Sequence, residues 1–206
     1  MPLDLGELSF TLGEVHLSPL SMHHAIELSE AAGDDPAIYQ YNNCPSGVEA
    51  TKEYIGKALA HKETGDRYPF AIKFQGSVVG TTSYADYQPW AWQAGNPHQR
   101  LSKPDVMEIG YTWLSKSATR TACNTTAKYL LLRYAFEQLE VLRVSFQTDE
   151  RNAVCRAAIE RLGAKLEGIR RAHKIAADGL IRSSAQYSIL AEEWHETRIL
   201  LESKLS

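Results

Sequence analysis

The stretch Glu108–Asn152 decides the fold: EIGYTWLSKSATRTACNTTAKYLLLRYAFEQLEVLRVSFQTDERN. It continues a strand that starts at Val106 and runs to Leu114, rich in β-branched and aromatic residues with a glycine inside. A short polar turn, Ser115 to Asn124, follows. The spacing of Ala127, Leu130, Leu131, Tyr134 and Ala135 then predicts a helix over about Thr125 to Leu139, with these residues on one stripe. From Arg143 to Thr148, Val144, Phe146 and Thr148 alternate against Arg143, Ser145 and Gln147, which is strand periodicity. Strand, small-residue turn, helix and strand make a βαβ unit. The first turn of its helix presents unpaired backbone N–H groups and a positive dipole end, a ready-made phosphate site.

Upstream, Leu8 to Leu17 reads as a hairpin with Gly13 at its turn. Ser21 to Ala32 reads as a helix that buries Met22, Ala25, Ile26 and Ser29 and stops at Gly33. Ser46 is the expected cap of a helix from Val48 to Lys62. Strands follow at Tyr68 to Phe74 and Ser77 to Tyr87, joined by Gln75-Gly76. The segment Gln88 to Asp105 has no period, and long loops of this kind carry function or cover something. Its Trp90 and Trp92 are candidates either for a wall of an acceptor pocket or for a cover over the core or a subunit contact. Downstream lie a helix at Asn152 to Gly163 with Cys155, Ala158, Ile159 and Leu162 on one stripe, strands at Lys165 to Ile175 and Leu180 to Leu190, and a last helix at Glu192 to Lys204. One α/β domain over residues 1–206 accounts for all of it.

Bulk properties narrow the function. At 206 residues, with 44% hydrophobic and 23% charged residues, the chain can bury a sizeable core and does not look disordered. A net charge of −3 without a basic run disfavours a non-specific nucleic-acid binder. No apolar run is long enough for a membrane span, and no secretory leader pattern opens the chain. Cys44, Cys123 and Cys155 have neither disulfide-framework nor zinc-ligand spacing, so no metal is expected and a reducing cytoplasm fits best.

The motifs EIGYTWL before the turn and NTTAK after it resemble the GNAT acetyltransferases, within them the Rim-type branch that acetylates ribosomal-protein N-termini. The resemblance extends from about Leu8 to Trp194. It implies an α/β fold with a mixed, mostly antiparallel sheet of about seven strands, splayed at its centre and flanked by helices. It implies acetyl-CoA as co-substrate and a primary amine as acceptor, in a monomer or homodimer. The acceptor of first choice is a protein or peptide N-terminus. A polyamine, amino acid or aminoglycoside is the alternative, and a non-catalytic acyl-CoA-binding protein is the second class.

The same resemblance places cofactor contacts. Backbone groups of Trp113 and Leu114 would meet the pantetheine. The turn Thr119, Arg120, Thr121, Ala122, Cys123, Asn124 and Thr125 would hold the pyrophosphate. Thr119, Ala122 and Asn124 stand at the positions of the family's Gln/Arg-x-x-Gly-x-Gly/Ala, so both expected glycines are absent. Arg120 also replaces a usual glycine, though its charge could reach a phosphate oxygen. Ala122 can serve if its φ stays negative. Asn152 is expected beside the pantetheine. Cys155 is a candidate donor to the leaving thiolate or else a small buried hydrophobe. Ile159 occupies the position where many family members carry a tyrosine acid.

Amine acetylation needs a base for one proton and little covalent help. Glu108 is the candidate, also able to attract a cationic acceptor, and it is expected to share a strand face with Gly110, Thr112 and Leu114. His98, His173 and Tyr187 are alternatives, Tyr187 being either a catalytic group or a core tyrosine with a tethered hydroxyl.

Overall fold

A computed structural model describes residues 5–33, 35–97, 99 and 103–205. In chain order the elements are β1 Phe10–Leu12, β2 Val15–Pro19, α1 Ala25–Gly33, α2 Val48–Glu63, β3 Arg67–Phe74, β4 Ser77–Gln88 and β5 Val106–Leu114. They continue with α3 Cys123–Glu137, β6 Arg143–Asp149, α4 Ala153–Glu160, β7 Lys165–Ile175, β8 Ile181–Leu190 and α5 Trp194–Leu205. Among the described residues the strands form one 8-stranded sheet in the order β1-β2-β3-β4-β5-β6-β8-β7. The mixed, mostly antiparallel sheet flanked by helices is the expected architecture, with one more strand than expected because Phe10–Leu12 and Val15–Pro19 both pair into the sheet.

Among the described residues one strand pairing is parallel, and it positions the cleft. Strands β5 and β6 are joined only through Val106↔Arg143, Met107↔Val144 and Glu108↔Ser145. Beyond Glu108 they part, while β4 follows β5 to Leu114 and β8 follows β6 to Asp149. The sheet is therefore forked, and Glu108 is the last residue of β5 before the fork opens.

Two apolar clusters hold the halves. The larger packs α3 and α5 on the sheet, with Leu130, Leu131, Leu132, Phe146, Tyr187 and Leu201 at 2% exposure or less. The smaller packs α1 and α2 against Ala71, Val78 and Trp113. Helix α3 is buried on several sides, Lys128, Tyr129, Leu132 and Phe136 included, and not only along the expected stripe. A helix enclosed by sheet and by another helix loses its one-sided period.

Two local expectations are corrected. In α1 the buried residues are Ala25, Leu28 and Ala32, while Met22 and Ile26 are 49% and 63% exposed. Met22 lies in a separate 3-10 turn, so the helical phase begins three residues later than the pattern was counted. The N-cap of α2 is Gly47, at φ 82, and not Ser46; no side chain caps this helix. The loop after β4 is tied down by Asp105, which accepts from the Trp90 backbone N–H at 2.6 Å and from Trp92 Nε1 at 2.8 Å.

Candidate active site

The fork opens into a cleft of about 600 Å³. Residues from β4, β5, β6, α3, α4, the β7–β8 hairpin and the loop after α1 line it. Glu108 sits at its base with 7% exposure, and Gln147 Nε2 donates to its Oε2 at 2.5 Å. Burial raises the Glu108 carboxyl to about 7, against the opposing pull of the Gln147 hydrogen bond. A carboxylate that titrates near neutrality is matched to taking and returning a proton there.

A β-bulge decides which way the rest of β5 faces. Ala85 pairs with Glu108, Ser83 with Gly110 and Thr81 with Trp113, so one extra residue is inserted at Tyr111–Thr112. Tyr111 absorbs it with φ 52, and the Arg67 guanidinium lies 3.9 Å over its ring. The face shared with Glu108 is therefore Gly110 and Trp113, not Gly110, Thr112 and Leu114 as strict alternation predicts. Thr112 is turned toward α3, where Lys128 Nζ donates to Thr112 Oγ1 at 2.5 Å and to Thr82 Oγ1 at 2.8 Å. Burial lowers Lys128 to about 7. Sequence reading missed this buried amine, which lines the cleft, because a lysine inside an otherwise apolar helix looks like a solvated position.

The turn before α3 enters the left-handed region without a glycine. Arg120 stands at φ 60, the left-handed region where glycine is usual, and Ala122 keeps φ −68. The Cys123 N–H goes to Thr121 Oγ1, and helical bonding starts with Thr126 N–H to Ala122 O. The Asn124 and Thr125 N–H groups therefore precede the helical ladder, at a first turn with no acidic residue. Asn124 Oδ1, Trp113 Nε1 and Gln147 Oε1 are buried, line the cleft and lack a partner among the described residues. Such orphaned polar atoms are expected where a polar ligand completes a site.

Residues 14–165 match the family described as Acetyltransferase (GNAT) domain. The chain belongs to the GNAT acetyltransferases. These are acetyl-CoA-dependent N-acetyltransferases. The Bacillus subtilis (strain 168) protein named "Putative ribosomal N-acetyltransferase YdaF" is 37% identical over 87 residues, which is 42% of this chain and 46% of that protein. This chain thus aligns with about half the length of that relative. A crystal structure of a GCN5-related N-acetyltransferase from Brucella melitensis superposes with TM-score 0.80 at 25% identity, covering 97% of this chain and 86% of that one. Mycobacterium smegmatis RimJ in complex with CoA-disulfide shares the fold at TM-score 0.75 and 21% identity, over 97% of this chain and 93% of that chain.

Against this GNAT frame the anticipated residues separate. Glu108, Trp113, Asn124, Cys155, Ile159 and His173 all line the cleft. Burial lifts the Cys155 thiol above its ordinary range, making it a weaker acid than a free thiol. His173 Nδ1 lies 2.9 Å from Ser184 Oγ, and burial lowers its pKa. Leu114, Thr119, Arg120, Thr121, Ala122, Cys123, Thr125 and Asn152 lie outside the lining, so any contribution from the turn is through its backbone or the Arg120 side chain. The Leu114 carbonyl accepts the Tyr39 hydroxyl at 3.0 Å. Asn152 is used as the N-cap of α4, its side chain accepting from the Cys155 N–H at 3.0 Å.

Three anticipated groups are placed elsewhere or not described. Tyr187 is fully buried, with Arg156 Nε donating to its hydroxyl at 2.9 Å and that hydroxyl donating to Glu160 at 2.7 Å. Its burial and hydroxyl partners fit the tethered core tyrosine of the two alternatives. Trp90 and Trp92 are not in the cleft wall; their rings contact each other at 5.6 Å over Asp105. His98 lies outside the described residues. Besides Lys128, sequence reading missed Gln147, Asp86, Lys174 and Arg182, all of which line the cleft. Gln147 carried a signal in its parity with Arg143 and Ser145 on β6, but only the fork shows that it reaches Glu108.

Proposed function

We propose that this protein transfers the acetyl group of acetyl-CoA to the N-terminal α-amine of a protein or peptide, with Glu108 as general base. The observation that carries this reading is Glu108 itself, buried at the fork and raised to about 7. An α-amine has an ordinary pKa of about 7.7–8.0, so proton transfer to such a carboxylate is nearly balanced. A lysine-type or polyamine nitrogen, at about 10.4, is mismatched by more than three orders of magnitude. The name of the Bacillus subtilis relative, a ribosomal N-acetyltransferase, points to the same class of acceptor.

Acetyl-CoA supplies a thioester: the amine nitrogen bonds to the acetyl carbon as the carbon–sulfur bond breaks, and the thiol leaves. On this reading the N–H groups of Asn124 and Thr125 and the guanidinium of Arg120 would take the pyrophosphate. Trp113 and the α4 residues Cys155 and Ile159 wall the path beyond it. Glu108 takes the proton of the incoming ammonium and, once protonated, is the stronger acid for returning it to the departing sulfur. Cys155 is a poorer donor, because burial has made its proton harder to lose. The reading is tested by thiol release from acetyl-CoA with N-terminal peptides, polyamines and aminoglycosides. Release with peptides and its loss in Glu108→Gln supports it. CoA binding without release for any amine favours a non-catalytic acyl-CoA-binding protein.

A further inference from the structure

The cleft is electrically two-sided. Asp86 on β4 and Glu108 on β5 form one wall, and Lys174 on β7 and Arg182 on β8 line the opposite hairpin. Lys174 and Arg182 are cross-strand partners, one directly opposite the other. Like charges in that position destabilise a ladder unless an anion joins them. Three of the nearby carboxylates, Asp149, Asp178 and Glu108, are committed elsewhere, and the fourth, Asp86, acts on Lys174 through its field alone. Asp149 holds Arg151 through both oxygens, at 2.9 and 2.7 Å, and Asp178 holds Arg151 at 3.0 Å. Glu108 is held by Gln147. Among the described residues no carboxylate pairs with Lys174 or Arg182; Arg182 Nε donates to the neutral Ser184 Oγ at 2.9 Å.

We infer that Lys174 and Arg182 form an anion subsite that holds a carboxylate of the acceptor while its amine lies at Glu108. The inference rests on the acetyl-transfer reading above and narrows its acceptor to a primary amine bearing a nearby carboxylate. Burial first and the facing Arg182 second depress the Lys174 pKa, and the fields of Glu108 and Asp86, neither of them paired with it, only partly oppose this. Charge of opposite sign on the two walls also orients such an acceptor, ammonium toward Asp86 and Glu108, carboxylate toward the hairpin. Two sources share this chemistry: a peptide with an acidic residue at its N-terminus, and a free amino acid.

The test uses CoA-saturated full-length protein, so that binding is read without turnover. Calorimetry compares Asp-Ala-Ala amide, Ala-Ala-Ala amide, Lys-Ala-Ala amide and free aspartate. The expected result is about tenfold tighter binding of a carboxylate-bearing amine than of Ala-Ala-Ala amide, a difference of about 1.4 kcal/mol. The preference should fall toward one in Lys174→Gln and in Arg182→Gln, and reverse toward Lys-Ala-Ala amide in Arg182→Glu. Whether the acidic peptide or aspartate carries the preference identifies the source. Equal binding of all probes, no binding at millimolar concentration, or a preference that survives both neutral substitutions overturns the subsite. A loss of CoA affinity with the preference intact assigns the cations to the cofactor and also overturns it. A clear preference without thiol release from acetyl-CoA would leave the subsite standing and refute the transfer reaction, so the two failures are distinguishable.

Discussion

The Glu108 carboxylate lies directly over Gly110: a methyl group at position 110 would come within 2.5 Å of Glu108 Oε1. The two residues share a face of β5, two positions apart, and the missing side chain is the space that the carboxylate occupies. Any methyl there competes with the proposed base for one location.

Gly110→Ala should therefore spare the fold and disable the site. The atom in conflict is the far end of a flexible side chain, so Glu108 can swing away. Its bond to Gln147, made at 2.5 Å, is then lost. Unfolding midpoints should change little, while kcat falls by about 10²-fold, within the usual range for loss of a general base. Full activity in Gly110→Ala would mean that the carboxylate position does not matter to turnover.

Glu108→Gln separates two pH effects. In the wild type, kcat/KM should rise as pH passes through about 7, because only the ionised carboxylate is a base. The variant should lose about 10²–10⁴-fold and lack that inflection. Stability runs the other way. A folded carboxyl raised from 4.5 to about 7 contributes stability that is full below 4.5 and is lost as pH rises through 7. The wild type should thus lose up to about 3 kcal/mol across this window relative to Glu108→Gln, read by urea denaturation at stepped pH.

Lys128→Met should be neutral or stabilising. Burial lowers Lys128 from 10.5 to about 7, so the unfolded chain binds its proton more tightly and wild-type stability rises with pH between 7 and 10.5. Removing the amine abolishes that slope. The two hydroxyls it leaves, Thr82 and Thr112, are already 2.9 Å apart and can satisfy each other. A large loss of stability at pH 7 would show that the amine is needed to hold β4 and β5 to α3.

Arg120 divides strain from charge. With φ 60, Arg120→Gly should stabilise the fold by about 1 kcal/mol, because glycine adopts this conformation without the Cβ clash. If the guanidinium meets phosphate, the same variant should bind CoA more weakly, and Arg120→Glu about tenfold more weakly than wild type. Calorimetry with CoA decides this: equal affinity in all three proteins would leave the turn's backbone as the sole phosphate contact.

Much of this protein was determined by local chemistry that a linear reading can follow. The alternation of Val144, Phe146 and Thr148 along β6 and the Gln75-Gly76 hairpin are set by neighbours in the chain, and each stands as read. Glu108 was legible as a candidate because an acid sits on a strand that leads into a small-residue turn and a helix. Tertiary structure decided what that acid meets. One inserted residue at Tyr111 reverses the parity of β5, placing Trp113 on the face of Glu108 and turning Thr112 to Lys128. Enclosure on several sides erased the stripe of α3, and Asp105 drew Trp90 and Trp92 away from the cleft. The Lys174–Arg182 pair exists only because the register of β7 on β8 sets them opposite each other. Periodicity records which side of an element is buried; bulges, registers and long-range pairings depend on partners far away in the chain, and these determine how the charges around Glu108 are arranged.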